Sequence, residues 1–543
     1  MTARNDNGRL FPLAYGALCV MALASGAEAA PEKGAKASPA TPSQAGLPNT
    51  KVDAASLARW IDAEIQKALD AEKVPASPLA DDAEFVRRVS LDITGIVPTA
   101  DEAAAFIDDP DPAKRAKLID RLLASPAYGR HMADLWVGWL LPRTSETRLV
   151  RHEPMVRFLE ENFNKNKPWN EFVTEIITAS GPQDENPAVT FFLFNDTVDK
   201  VTDNVARHFL GIQLQCAQCH NHPFTGWQQT EYWGMAAFFM KVQRQDNRNK
   251  ALRNGAVPGV AENLSGRAGR RNNLPESAKI VPAKFLQGEE PKLNPNEPFR
   301  PVLARWLTSP QNPFFARAMV NRLWHQFFGR GLVNPVDDMH AENQPSHPAL
   351  LEGLAEQFAR DFDVKDLIRA ICNSQAYQRT SRPLPENVDD TSLFSHMAIK
   401  ALSPEQLYDS LVRVVGTATE QRGNRVRSNT TVRGNQSPRE VFAAFFRVEE
   451  TEPTEYTAGI PQALRLMNAP MLNNTAAALA SLVKSDDPNA VIERLYLATV
   501  SRRPRAEELT RLAAYVHNAG NRQQAYGDIL WALLNSSEFA LNH

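Results

Sequence analysis

The chain has 543 residues, of which 43% are hydrophobic and 23% charged, with a formal net charge of −3. That length exceeds what one core can organise, and the near-neutral balance supplies no basic field of the kind that gathers nucleic acid. Its 38 prolines favour many short helices broken by turns.

The N-terminus reads as an export signal. Arg4 and Arg9 precede an apolar run from Leu10 to Ala24, and Ala27-Glu28-Ala29 forms a small-x-small cleavage site, so residues 1–29 are expected to be a signal peptide. The run is shorter than the ~20 residues that cross a bilayer. With no twin arginine, the general secretory route is the simpler one. Leu18 precedes Cys19 where a lipidated cysteine would want a small residue. No later stretch is apolar enough for an integral membrane span, so the mature chain is expected outside the cytoplasm, in the periplasm or beyond. Residues 30–51 are rich in Ala, Pro, Ser and Gly and read as a flexible tether.

From about Val52 the pattern turns helical. Leu57, Trp60, Ile61, Ile65 and Leu69 recur at helical spacing, as do Leu118, Ile119, Leu122 and Leu123 before Ser125-Pro126. A third stripe, Val198, Val201, Val205, Phe209 and Ile212, leads toward Cys216 and predicts a helix that ends at that cysteine.

Cys216-Ala217-Gln218-Cys219-His220 is C-x-x-C-H, the attachment pattern of a c-type haem. Two thiols three positions apart suit the two vinyl groups of one porphyrin, and the next imidazole suits the iron as proximal ligand. Distal candidates are Met235, Met240 and His222. The aromatic stretch that follows offers Phe224, Trp227, Trp233, Phe238 and Phe239 as an apolar envelope, or simply as core. Two other chemistries fit the same residues. An exported C-x-x-C oxidises readily to a disulfide. Zinc held by Cys216, Cys219 and His220 or His222 suits a tetrahedral site, although no second ligand pair is evident. Haem joins such thiols after translocation, so export and motif agree.

Residues 244–298 lose periodicity and read as an irregular linker with one extended piece, Lys279 to Leu286. Helical patterning resumes at Phe299, strongest in Asn312–Phe328 before Gly329 and Gly331. It continues through 349–362, 364–371 and 403–415, pauses at a polar basic loop, Gln421 to Ser437, and closes with three helices after 490. The fold expected is mainly α: two multi-helix domains, 52–243 and 299–543, with few or no strands.

Other chemical candidates are weaker. His325 beside Trp324 reads as a core or interface histidine. Asp337-Asp338-Met339-His340 with His347 offers an acid–base or metal grouping, or else caps and surface charge. Cys372 falls on an apolar face and behaves as a small hydrophobe. No G-x-S-x-G, H-E-x-x-H or phosphate loop is present.

Three early stretches, SLARWIDAEIQKAL, FVRRVSLDITGIVPTADEAAAFI and LIDRLLASPAYGRHMADLWVGWL, resemble the planctomycete cytochrome-like domain, domain-of-unknown-function family 1549. FLGIQLQCAQCHNHPFTGWQQTEYWGMAAFF resembles the close of that domain. NPFFARAMVNRLWHQFFGRGLVNPVDD, PSHPALLEGLAEQF, LIRAICNSQAYQRTS and the terminal LLNSSEF are similar to its companion, family 1553. The resemblance implies an exported bacterial protein of cytochrome character without an established activity. It carries over Cys216, Cys219 and His220 as the haem motif and His222 as an additional histidine, with Asn221 where relatives often have aspartate. The expectation is therefore an exported c-type haem protein that works with a redox partner protein. The alternatives are a binding or scaffold protein with a Cys216–Cys219 disulfide, and a metal-dependent hydrolase of extracellular polymers.

Overall fold

The computed structural model describes residues 46–141, 151–245, 257–264, 281–416, 437–446 and 476–543. The expected signal peptide and most of the tether lie outside the described residues, as does the basic loop up to residue 436. About 59% of the described residues are helical and 4% in strands, so the mainly α expectation holds.

Local signals set the helix ends. Asp53 caps Ala54–Glu72 by accepting the Ser56 N–H, and Thr99 with Glu102 forms a reciprocal capping box on Ala100–Asp108. Pro126, Pro348, Pro404 and Pro488 each occupy the first helical position, where the missing N–H has no partner to lose. Some of the prolines thus start helices rather than break them. Gly95, Gly211 and Gly329 end helices in the left-handed conformation. Three short antiparallel strands form one small sheet in the order Gly181–Pro182, Gly259–Glu262, Val242–Gln245. The Lys279–Leu286 piece, where described, is not a strand, but Ala283 and Leu286 are buried.

The helices close over two apolar cores. The first runs from Ala54 to Met397 and takes in Leu57, Ile61, Ile65 and Leu69, then Trp136, Trp169 and Trp233, then Phe315, Trp324 and Ile368. The second packs Leu91, Val97, Ala100 and Ala103 against Leu402–Phe539. Helix Asp82–Thr94 therefore contributes to both, through Val89 in one and Leu91 in the other. No described helix is long and apolar enough to cross a membrane.

Four imidazoles are enclosed in this packing: His131, His208, His325 and His347. Burial pushes His131, His325 and His347 down to about 4, and His208 well below its ordinary value; the Arg322 cation adds to the effect at His208 and His325. A base depressed in the folded state is protonated more readily when unfolded. The stability it contributes is complete above pH 6.5 and is lost as pH falls toward 4. Each group shifted by about 2.5 pH units accounts for at most about 3 kcal/mol. Asp203, pushed up to about 6 by burial, and Asp62, also raised by burial, oppose this as two carboxyls against four imidazoles. The urea midpoint is expected to fall steeply between pH 6.5 and 4.5; a flat profile over that range would contradict the burial described.

Candidate functional site

The helix Val198–Leu210 turns Val201, Val205 and Phe209 into the core. It does not run on into the cysteines, which corrects the sequence expectation. Gly211 at φ 68° stops it, with the Ile212 N–H donating to Ala206 O at 3.1 Å. The motif begins on a separate 3-10 turn, Gln215–Gln218, with Cys219 directly after. Ala217 is the plug: it is fully buried, and its N–H donates to Leu214 O at 2.8 Å. Side chains three apart eclipse on a 3-10 turn, so Cys216 and Cys219 leave from one side while Ala217 faces inward. Both cysteines are exposed and unpaired, and so is the surface position of His220 exposed.

The turn is held from one neighbouring helix, Gln229–Ala236. Gln229 Nε2 donates to Gln218 O at 3.1 Å and Cys219 O at 2.8 Å, and Trp233 Nε1 donates to Gln218 O at 3.1 Å. Asn221 Oδ1 accepts the Gln229 N–H at 3.0 Å, at the positive end of that helix. An aspartate there would make the same bond.

His220 Nδ1 lies 2.6 Å from Asn221 O. A carbonyl oxygen only accepts, so Nδ1 carries a proton, and in the neutral ring Nε2 is the nitrogen with the lone pair. His222 has the opposite tautomer. Its Nδ1 accepts the Phe224 N–H at 3.2 Å and the Thr225 N–H at 3.1 Å, while its own backbone N–H donates to Trp227 O at 2.8 Å. His222 thereby builds the loop, and its Nε2 holds the proton.

Met235 lies wholly inside the first core, and Met240 packs partly buried against it. Reaching an iron from Met235 would require its helix to unpack. Of the five aromatics expected as an envelope, Trp227, Trp233, Phe238 and Phe239 are core. Phe238 stacks on Phe285, which stacks on Trp306, with ring centroids 5.3 and 5.0 Å apart. Only Phe224 stays outside, at 83% exposure.

The second group of candidates does not assemble into one site. Asp337 is buried against Arg207 and Gln213. Asp338 pairs with His340 at 3.5 Å, and His340 with Glu342 at 3.0 Å. His347 sits apart, beside Ser346 and the Phe394 ring. His325 is buried, and Cys372 is fully enclosed with its thiol pushed up by burial. Among the described residues, no group of three or more His, Cys, Asp or Glu side chains is placed to hold a metal ion. Sequence reasoning missed Gln213 and Gln229, because isolated polar residues give no periodic signal.

No curated protein and no solved structure matches the chain. Residues 60–244 match the family model PSCyt2, a protein of unknown function (DUF1549), and residues 299–516 match PSD1, a protein of unknown function (DUF1553). The C-x-x-C-H turn falls in the first and the Asp337 loop in the second, and the chain belongs to the DUF1549 family in its N-terminal part and the DUF1553 family in its C-terminal part.

Proposed function

We propose that this protein is an exported c-type haem protein that passes electrons to a redox partner protein outside the cytoplasm. The observation that carries the reading is the His220 tautomer. Its Nδ1 donates to Asn221 O, which leaves Nε2 of the neutral ring as the ligating atom, on the residue that directly follows two unpaired, exposed thiols. A ligating histidine is typically oriented by such a bond from its other ring nitrogen. The residues present fit the group in attachment and proximal ligation; Phe224 is the one aromatic of the five left outside the core to cover it.

Bound haem would supply one-electron chemistry. Cys216 and Cys219 would each add across one vinyl group, sulfur to one carbon and the thiol hydrogen to the other, with no net oxidation. His220 would hold the iron through Nε2. Gln229 and Trp233 fix the carbonyls of Gln218 and Cys219, which limits the freedom of the turn before any cofactor arrives. The Arg4–Ala29 pattern supports export.

Expression in a host with haem-maturation machinery tests this. After denaturation the protein is expected to retain a visible haemochrome spectrum in pyridine, at one haem per chain. A colourless protein with Cys216 and Cys219 joined would favour the scaffold alternative, and stoichiometric zinc would favour a metal site.

A further inference from the structure

The peptide that leads into the motif is gripped by the other family domain. After helix Phe315–Phe328 the chain folds back as a loop fastened by Asn321, which is fully buried. Its Nδ2 donates to Val333 O and Val336 O, both at 2.9 Å, and its Oδ1 accepts the Val333 N–H at 2.9 Å. That brace leaves Asp337 little freedom, and the carboxylate is only 3% exposed.

Asp337 accepts from Arg207 in the last turn of helix Val198–Leu210, and from Gln213 Nε2 at 3.1 Å. Two residues on, the Met339 N–H donates to Gly211 O at 2.9 Å. The loop also packs tightly: a Cβ on Gly211 would meet Met339 Sδ at 3.2 Å. The grip on Arg207, Gly211 and Gln213 holds the segment before Cys216, while Gln229 and Trp233 hold it at Gln218 and Cys219. A segment fixed at both ends, by a charge-assisted bond on one side, has little room to shift.

We propose that Asp337 is a positioning residue for the C-x-x-C-H turn, and that this is a task of the DUF1553 part of the chain. The inference rests on the haem reading for its redox consequence, but not for its structural content. Asp337 touches neither thiol nor His220 in the contacts above; it acts through Arg207, Gln213 and the Gly211 peptide. Because proximal ligand orientation tunes an iron site, moving this peptide changes the reduction equilibrium without releasing thioether-bound haem.

The test uses the full chain, as wild type, Asp337→Asn and Gln213→Ala, produced with haem-maturation machinery. Losing a charge-assisted hydrogen bond is expected to speed amide exchange in Gly211–Cys219 by about tenfold or more, with the helices of 506–534 unchanged. Haem content is expected to stay at the wild-type level while the midpoint potential moves. Gln213→Ala, at an exposed position, gives a smaller change of the same kind and remains informative if Asp337→Asn fails to fold. Unchanged exchange and unchanged potential in both variants would overturn the proposal. If the wild type carries no haem, amide exchange alone decides it, separately from the fate of the haem reading.

Discussion

Replacing both Cys216 and Cys219 by serine is expected to abolish covalently held haem while leaving the fold intact. The separation follows from where the residues lie. Both thiols and His220 are on the surface, and the buried member of the turn is Ala217. Surface substitutions away from caps and networks usually change stability by within ~0.5 kcal/mol, so the thermal midpoint should hardly move. On the proposed reading, either single serine variant is expected to keep one thioether and hence one haem, with a haemochrome band shifted by the unreacted vinyl group. On the same reading, His220→Ala is expected to retain both thioethers and to lose the proximal imidazole. Visible spectra of native and denatured samples check all four variants. Haem loss accompanied by global unfolding would mean that the turn is structural rather than a cofactor anchor.

Replacing Arg87 by alanine is expected to have the largest effect on stability, at least about 4 kcal/mol. Arg87 is fully buried on helix Asp82–Thr94. Its guanidinium donates to Thr499 O at 3.0 Å, Glu538 O at 3.0 Å, Phe539 O at 2.8 Å and Leu541 O at 3.1 Å. Burial pushes its pKa down to about 10, so it remains charged at neutral pH and is solvated by carbonyls instead of water. Truncation would leave those carbonyls without their donor. Arg88 beside it pairs with Glu84 and donates to Tyr377 O and Arg379 O, each at 2.8 Å. Asp92, one further turn along, accepts from Lys400, Tyr377 and Asn542. One helix therefore ties the segments near 380, 400, 500 and 540 together. Deleting residues 538–543 should destabilise the chain to a similar degree. Urea unfolding checks both; a loss below about 1 kcal/mol for Arg87→Ala would contradict the network.

This helix also shows where the sequence was opaque. FVRRVSLDIT carries two arginines and an aspartate, which in isolation read as a solvated face. They are buried because residues some 300 to 450 positions later return to cover them, and single-sequence periodicity holds no record of such contacts. The stripes of Ala54–Glu72 and Val198–Leu210 were legible because each faces one core on one side. The stop at Gly211 was missed, although glycine near the end of an apolar stripe is a common helix terminator, because the stripe continues to Ile212. C-x-x-C-H was visible because its spacing is local. The support from Gln213 and Asp337 was not, because the two meet across 124 positions of sequence, and that from Gln229 was not, because a lone polar side chain carries no pattern. The aromatic run after the motif misled for a related reason: it flanks the cysteines in sequence, yet four of the five rings expected as an envelope are buried in the core.

The central claim concerns two sulfur–carbon bonds within one turn, and tryptic digestion isolates that turn in a single peptide, His208–Lys241. Mass spectrometry of this peptide, from protein made in a haem-maturing host, is predicted to find the added mass of one haem and no thiol open to alkylation. The same peptide at its unmodified mass, with Cys216 and Cys219 both alkylated after reduction, would contradict the account.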